Sequence, residues 1–85
     1  MADKTNLYGT NWCPHTTRSR RIMDEQKIDY TWHDIERDTE ACAFVEKTNR
    51  GYRSVPTIVF PDGTVMVEPV DNDLVKKCQE IKRKT

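Results

Sequence analysis

The sequence predicts one α/β domain over residues 1–85: a central four-stranded mixed sheet with helices on both faces, in the order βαβαββα. Three observations lead there. Apolar, β-branched or aromatic runs at 5–10, 30–35, 55–60 and 64–67 alternate with stretches of helical periodicity at 14–27, 39–49 and from Asp71 onward. A helix between the first two strands makes them parallel neighbours joined by a right-handed crossover. Pro61-Asp62-Gly63 between the last two is a hairpin signal, which makes that pair antiparallel. Eighty-five residues suffice for one small core and not for two.

Each element has its own warrant. Residues 5–10 are short and apolar around Leu7 and Tyr8, ending near Gly9. Over 14–27, Ser19, Ile22, Met23 and Gln26 fall on one side of a helix; Arg18, Arg20, Arg21, Asp24, Glu25 and Lys27 form the polar remainder. Tyr30 to Ile35 has strand composition. Asp38 is a candidate N-cap for the helix over 39–49, whose stripe is Ala41, Phe44, Val45 and Thr48, with Gly51 placed to stop it. The last helix turns Leu74, Val75, Cys78 and Ile81 inward. Its Lys76, Lys77, Lys82, Arg83 and Lys84 suit a solvated face at the negative end of the helix dipole.

Composition excludes several classes. Fourteen basic and fourteen acidic residues cancel, so no global field draws the chain to nucleic acid or an acidic membrane. No apolar run approaches spanning length, and the first five residues lack the apolar core of a signal peptide. A monomeric, cytoplasmic protein is expected. Cysteines at 13, 42 and 78 are odd in number and scattered, which does not make a disulfide framework. In a reducing compartment each is either buried and inert or chemically used. Cys78 falls in its helix's apolar stripe and is expected in the core. Cys42 lies off its stripe and is expected to be partly exposed.

The stretch Thr10-Asn11-Trp12-Cys13-Pro14-His15-Thr16 joins the first strand to the first helix. Proline directly after the cysteine fits the first helical turn, whose N–H groups lack intrahelical partners. Those donors and the positive end of the macrodipole then bear on the sulfur and favour thiolate, the nucleophilic form. Cys13 is read as a reactive thiol–disulfide cysteine.

Trp12-Cys13-Pro14-His15-Thr16 after the first strand, with Ser54-Val55-Pro56-Thr57 opening the third, resembles the glutaredoxins and, among them, the short bacterial mycoredoxins and NrdH-like redoxins. Phe44-Val45, Arg53 and Asp62-Gly63 extend the likeness over nearly the whole chain. The resemblance implies a thioredoxin-like fold, a cis peptide bond at Val55-Pro56, and a backbone there that pairs with substrate beside Cys13. It also places Arg53 and Asp71-Asn72 around a small thiol, whose carboxylates bidentate arginine pairing would suit. Two departures stand out. Thr16 occupies the position of the second cysteine of dithiol members, and Glu68-Pro69-Val70-Asp71-Asn72 stands where cofactor-binding members carry Gly-Gly.

One thiolate still supports a two-step exchange. Cys13 takes the small thiol from a protein mixed disulfide, and a second small thiol then expels Cys13. Lowering its pKa from about 8.5 to about 6 raises the thiolate fraction at neutral pH roughly thirtyfold, while nucleophilicity falls roughly tenfold. Attack gains little; departure of Cys13 gains without that offset. Pro14, His15 and Thr16 are candidates for assisting the thiolate. His15 is either a cation beside the sulfur or an inconsequential exposed residue; Thr16 either donates its hydroxyl to the sulfur or back-bonds to the helix. Trp12 either covers substrate or braces the loop.

The activity expected is reduction of mixed disulfides between proteins and a low-molecular-weight thiol, with Cys13 as nucleophile and leaving group. Trp12, Arg53, Val55, Pro56, Asp71 and Asn72 are the candidate substrate or thiol contacts. Glutathione, another small thiol or a flavoprotein reductase are alternative electron donors, and thiol-capped or disulfide-containing proteins are the expected substrates. No metal is expected. Two other readings stand: an iron–sulfur carrier holding its cluster between Cys13 and a bound thiol, and a non-catalytic domain that docks to a redox partner. Whether Cys42 resolves an oxidised Cys13 is left open.

Overall fold

The computed structural model describes residues 4–84. Its elements are β1 (Thr5–Gly9), α1 (Pro14–Glu25), β2 (Tyr30–Asp34), α2 (Thr39–Thr48), β3 (Thr57–Val59), β4 (Val65–Val67) and α3 (Asp71–Lys84). The sheet order is β2-β1-β3-β4, with β1 and β2 parallel and the other two pairings antiparallel. The predicted order and mixed sheet are therefore present, with strands trimmed at their ends: β3 starts at Thr57 rather than Val55, and β4 at Val65 rather than Thr64.

Register explains the layers. Trp32, Leu7, Ile58 and Met66 form one row across all four strands. Because side chains alternate faces, this row lies on one side of the sheet. It packs with Ile22 and Met23 of α1 and Leu74, Cys78 and Ile81 of α3. The neighbouring register position places Tyr8 on the opposite face, in a smaller cluster with Ile35, Ala41 and Val45. Its ring stacks on His33 and on Phe44 at centroid distances of 4.4 and 4.8 Å. The helix stripe expected for α2 is accordingly narrower than predicted: Ala41 and Val45 are buried, while Phe44 and Thr48 are exposed.

Both early helices end on a lysine or arginine in the left-handed region. Lys27 has φ 58° and donates to Asp24, while Ile28 donates to the carbonyl of Met23. This pair of bonds is the Schellman arrangement, and it stops α1 two residues before the predicted end. In α2, Arg50 takes the left-handed position (φ 58°) and Gly51 follows it, donating to Glu46. Gly51 was expected to make the stop; Arg50 makes it instead. A cation there also complements the carboxyl end of the dipole.

Asp38 caps α2 as predicted, Oδ1 accepting from the N–H groups of Glu40 and Ala41, each at 3.1 Å. Asp38→Ala is expected to lower stability by about 1 kcal/mol, measured as a shift of the urea midpoint with unchanged slope. The hairpin is anchored from outside: Lys77 of α3 reaches Asp62 at 2.7 Å and Thr64 at 3.1 Å. Among the described residues no helix is long and apolar enough to cross a membrane.

Candidate active site around Cys13

Cys13 occupies the N-cap position of α1, with Pro14 at the first helical position. Asp, Ser or Thr usually fills such a position and accepts from the second and third helical N–H groups. Here those groups belong to His15 and Thr16. The neutral thiol makes no cap bond, yet both N–H groups lie where an ionised sulfur accepts them. Burial pushes the Cys13 pKa up and is the largest single influence. The Thr16 N–H, the Thr16 hydroxyl and the His15 N–H together outweigh it, against a small opposing push from the Glu68 carboxylate, and the net shift is downward.

Thr16 is almost wholly buried, and its hydroxyl oxygen has no other partner among the described residues. The space it occupies exists because residue 9 is glycine. A Cβ there would stand 2.5 Å from Thr16 Cγ2 and 2.8 Å from Oγ1. The His15 ring is engaged elsewhere, its Nε2 3.0 Å from the carbonyl oxygen of Pro69. What His15 brings to the sulfur is its backbone N–H rather than its imidazole.

The Val55–Pro56 peptide bond, just before β3, is cis as expected. Pro56 is buried and Val55 half-buried. The segment is held at two points. Thr57, fully buried, donates through Oγ1 to the Ser54 carbonyl at 2.7 Å and accepts from Asn49 Nδ2 at 3.2 Å. The Pro56 carbonyl accepts from the N–H of Glu68 at 2.9 Å. Glu68 holds φ 47°, a left-handed conformation that favours glycine. The loop 68–70 is thus pinned to the proline strand at Glu68 and to α1 through Pro69.

The remaining candidates separate into two groups. Trp12 is 69 % exposed and donates from Nε1 to Glu36 at 3.0 Å. A cavity of about 700 Å³ runs from Trp12 and Val55 toward α2, lined also by Thr10, Glu36, Cys42, Glu46 and Arg53. Asp71 and Asn72 lie at the start of α3, away from that cavity's lining, and Asp71 pairs with Arg18 at 3.4 Å. Arg53 is committed as well: Nε lies 2.9 Å from Glu46. Its pKa is raised, first by that hydrogen bond and then by the nearby Cys42 sulfur. Cys42 is half-buried, as expected, and Cys78 is fully buried with its pKa raised by desolvation. Gly9, Thr10, Glu36, Glu46 and Glu68 were not singled out from the sequence. Only Gly9 carried a local signal, a residue without a side chain directly before the cysteine loop.

A cysteine at the N-terminus of the helix that follows β1, and a cis proline entering β3, the strand paired with β1, define the class: a thiol–disulfide oxidoreductase. The fold is shared with solved structures, among them the thioredoxin-like protein BC3987 (TM-score 0.73, 23% identity, 92% of this chain and 99% of that one) and NrdH-redoxin from Escherichia coli (TM-score 0.69, 18% identity, 86% and 92%). The Glutaredoxin family profile matches residues 6–66, and the chain belongs to the glutaredoxin family. It is 32% identical over 75 residues to mycoredoxin 1 of Corynebacterium glutamicum, covering 88% of this chain and 92% of that one. A Mycobacterium tuberculosis protein assigned to the glutaredoxins is 33% identical over 75 residues, 88% and 89% of the respective lengths. Thiols and protein disulfides are the partners this family membership implies.

Proposed function

We propose that the protein reduces mixed disulfides between proteins and a low-molecular-weight thiol by a single-cysteine cycle. The observation that carries this reading is the N-cap position of Cys13, where Thr16 and His15 donors favour its thiolate. In the first step the Cys13 thiolate attacks the small-thiol sulfur of the mixed disulfide. A new S–S bond forms to Cys13, and the protein thiolate leaves with the electron pair and takes a proton. In the second step a free small thiol, as thiolate, attacks the sulfur it shares identity with. The small disulfide forms and Cys13 departs as thiolate. Over one cycle one free small thiol and one mixed disulfide become one protein thiol and one small disulfide, with Cys13 returned unchanged.

Donors aimed at Cys13 help the second step most, because a thiol of lowered pKa is the better leaving group. Val55 and Pro56 offer backbone to the substrate chain, and Trp12 lines its approach. Pro14 fixes the first turn so that the His15 and Thr16 N–H groups stay free for sulfur. Arg53 pairs with Glu46 through Nε, which leaves its terminal nitrogens for a carboxylate, and Asp71 and Asn72 lie at the start of α3, outside the cavity lining. Glutathione and other small thiols are both compatible donors. The protein works at neutral pH in a reducing compartment such as the cytoplasm.

Two measurements test this. A thiol with lowered pKa keeps its thiolate as the pH falls, so iodoacetamide labelling of Cys13 is expected to persist to lower pH than labelling of free cysteine. Coincident profiles would contradict the reading. Turnover of a glutathionylated peptide by Cys42→Ser is expected to stay within about twofold of the wild type; loss there would replace the single-cysteine cycle with a Cys13–Cys42 bridge.

A further inference from the structure

Two neighbouring residues, Glu68 and Pro69, hold the loop between β4 and α3 against the rest of the molecule. The Glu68 N–H donates to the Pro56 carbonyl at 2.9 Å, and the Pro69 carbonyl oxygen lies 3.0 Å from Nε2 of the His15 ring. A carbonyl only accepts, so Nε2 carries the hydrogen, in the neutral ring and in the imidazolium alike. His15 thus joins the helix that begins at Cys13 to the loop, and the loop joins the cis-proline segment. The loop has little hold of its own. Glu68 sits at φ 47°, a region costly for a residue with a side chain, and such a conformation persists only where surrounding contacts enforce it. Pro69 has no N–H with which to extend the pairing toward β3. Arg18 and Asp71 also link α1 to α3, but both side chains are about half exposed, and such pairs contribute little. The His15 bond is partly buried, and Pro69 itself is buried.

What the loop orients is the peptide around Val55. The Ser54 carbonyl accepts from the Thr57 hydroxyl at 2.7 Å and the Pro56 carbonyl from the Glu68 N–H, so the carbonyls on either side of Val55 are both fixed. The N–H and carbonyl of Val55 itself have no partner among the described residues. They are the groups left for an incoming peptide. Their direction follows from how Pro56 is held, and through Glu68 and Pro69 that depends on His15.

We propose that His15 is a positioning residue for peptide-bearing disulfides: its ring, by holding Pro69, keeps the Val55–Pro56 backbone set to receive the substrate chain, without acting on the sulfur. The proposal rests on the single-cysteine reading above and adds to it a side chain that works through the loop. His15 then has two separate duties. Its backbone N–H serves the Cys13 thiolate, and its ring fixes the backbone that meets the substrate.

The test compares His15→Gln, His15→Asn and His15→Phe. The glutamine amide nitrogen reaches as far from the backbone as Nε2 and keeps a donor for Pro69. The asparagine amide stops short of it, and phenylalanine keeps a ring but loses the donor. Asparagine, small and polar, carries the comparison should phenylalanine not fit. Single-turnover capping of reduced Cys13 is followed by intact mass with a glutathionylated peptide and with bis(2-hydroxyethyl) disulfide, which has no peptide group. The Asn and Phe variants are expected to lower the ratio of peptide to small-disulfide rate by roughly fivefold, the size of one lost hydrogen bond, and the Gln variant by no more than about twofold. The Glu68 amide should exchange its hydrogen faster in the Asn and Phe variants than in the Gln variant. The Cys13 alkylation profile should coincide with the wild type in every variant. An unchanged ratio, unchanged Glu68 exchange, a Gln variant as impaired as Asn, or a moved alkylation profile would each overturn the proposal while leaving the exchange reaction standing. A wild-type protein that neither disulfide caps at Cys13 would overturn the single-cysteine reading itself, and this proposal with it.

Discussion

Cys13→Ser is expected to abolish disulfide exchange, by on the order of 10⁴-fold or more, as loss of a covalent nucleophile does. Serine keeps the size and position of the side chain, but its hydroxyl stays protonated in the range where a lowered-pKa thiol ionises. It neither attacks sulfur nor leaves from it. The variant should fold at least as well as the wild type. Serine is among the preferred N-cap residues, and the N–H groups of His15 and Thr16 that serve the thiolate can equally serve a hydroxyl oxygen. Intact stability with no turnover of a glutathionylated peptide is the expected pair of results. Residual turnover above a few per cent would move the chemistry to Cys42, since Cys78 is fully buried.

Gly9→Ala is expected to affect the same sulfur through one intervening side chain, Thr16. The added Cβ would lie 2.5 Å from Thr16 Cγ2, 2.8 Å from Oγ1 and 3.2 Å from Cβ, all closer than ordinary contact. Thr16 has almost no exposed surface through which to retreat. Either β1 shifts or the threonine turns its hydroxyl off the sulfur. Overpacking of this kind costs about 1–3 kcal/mol. The loss of a donor acts in a definite direction: Thr16 lowers the Cys13 pKa, so displacing it raises that pKa and moves the alkylation profile to higher pH. The double variant Gly9→Ala/Thr16→Ala separates the two effects. Removing the threonine methyl and hydroxyl should recover much of the stability while the Cys13 profile remains at higher pH. A Gly9→Ala protein with an unmoved profile would show that β1 yields rather than Thr16; an unmoved profile in the double variant, which lacks the hydroxyl, would show that the Thr16 hydroxyl has no part in activating Cys13.

The pH dependence of stability follows the same sign. A group whose pKa is depressed on folding contributes stability above its unfolded pKa and loses that contribution as pH falls through its folded value. For Cys13 the contribution therefore belongs to the alkaline side, and chemical capping of the thiol removes it. The donors that favour the free thiolate over any capped form are also what make Cys13 a good leaving group.

Sequence by itself determined the architecture and the reactive element. Alternation of apolar runs and helical periods fixed the seven elements in order, because burial of one face imposes period 2 on a strand and 3.6 on a helix. Asp38, Pro14 and the Asp62-Gly63 turn were legible because caps, first turns and hairpins make local demands on single residue types. Cys13 came from its place before Pro14 at a strand-to-helix junction, and the role of Pro56 and its cis bond from the resemblance of the two motifs to the glutaredoxins. Where local signals compete, tertiary contacts decided. Arg50 took the left-handed stop that Gly51 was expected to take, Lys27 ended α1 in the same way, and Phe44 left the helix core to stack on Tyr8.

The charge of the cavity between Trp12 and α2 was decided only by the tertiary structure. Arg53 looks like a free cation in the chain, and nothing nearby in sequence says that its Nε pairs with Glu46, seven residues earlier. Glu36 and Thr10 lie 26 residues apart and meet one cavity only because β1 and β2 pair in parallel, so that both strands end at the same edge. Thr16 acts on Cys13 through a space that Gly9 leaves from the neighbouring strand. Residue type and spacing encode what a group can do. Which group meets which, and with what net charge, depends on packing between segments distant in the chain.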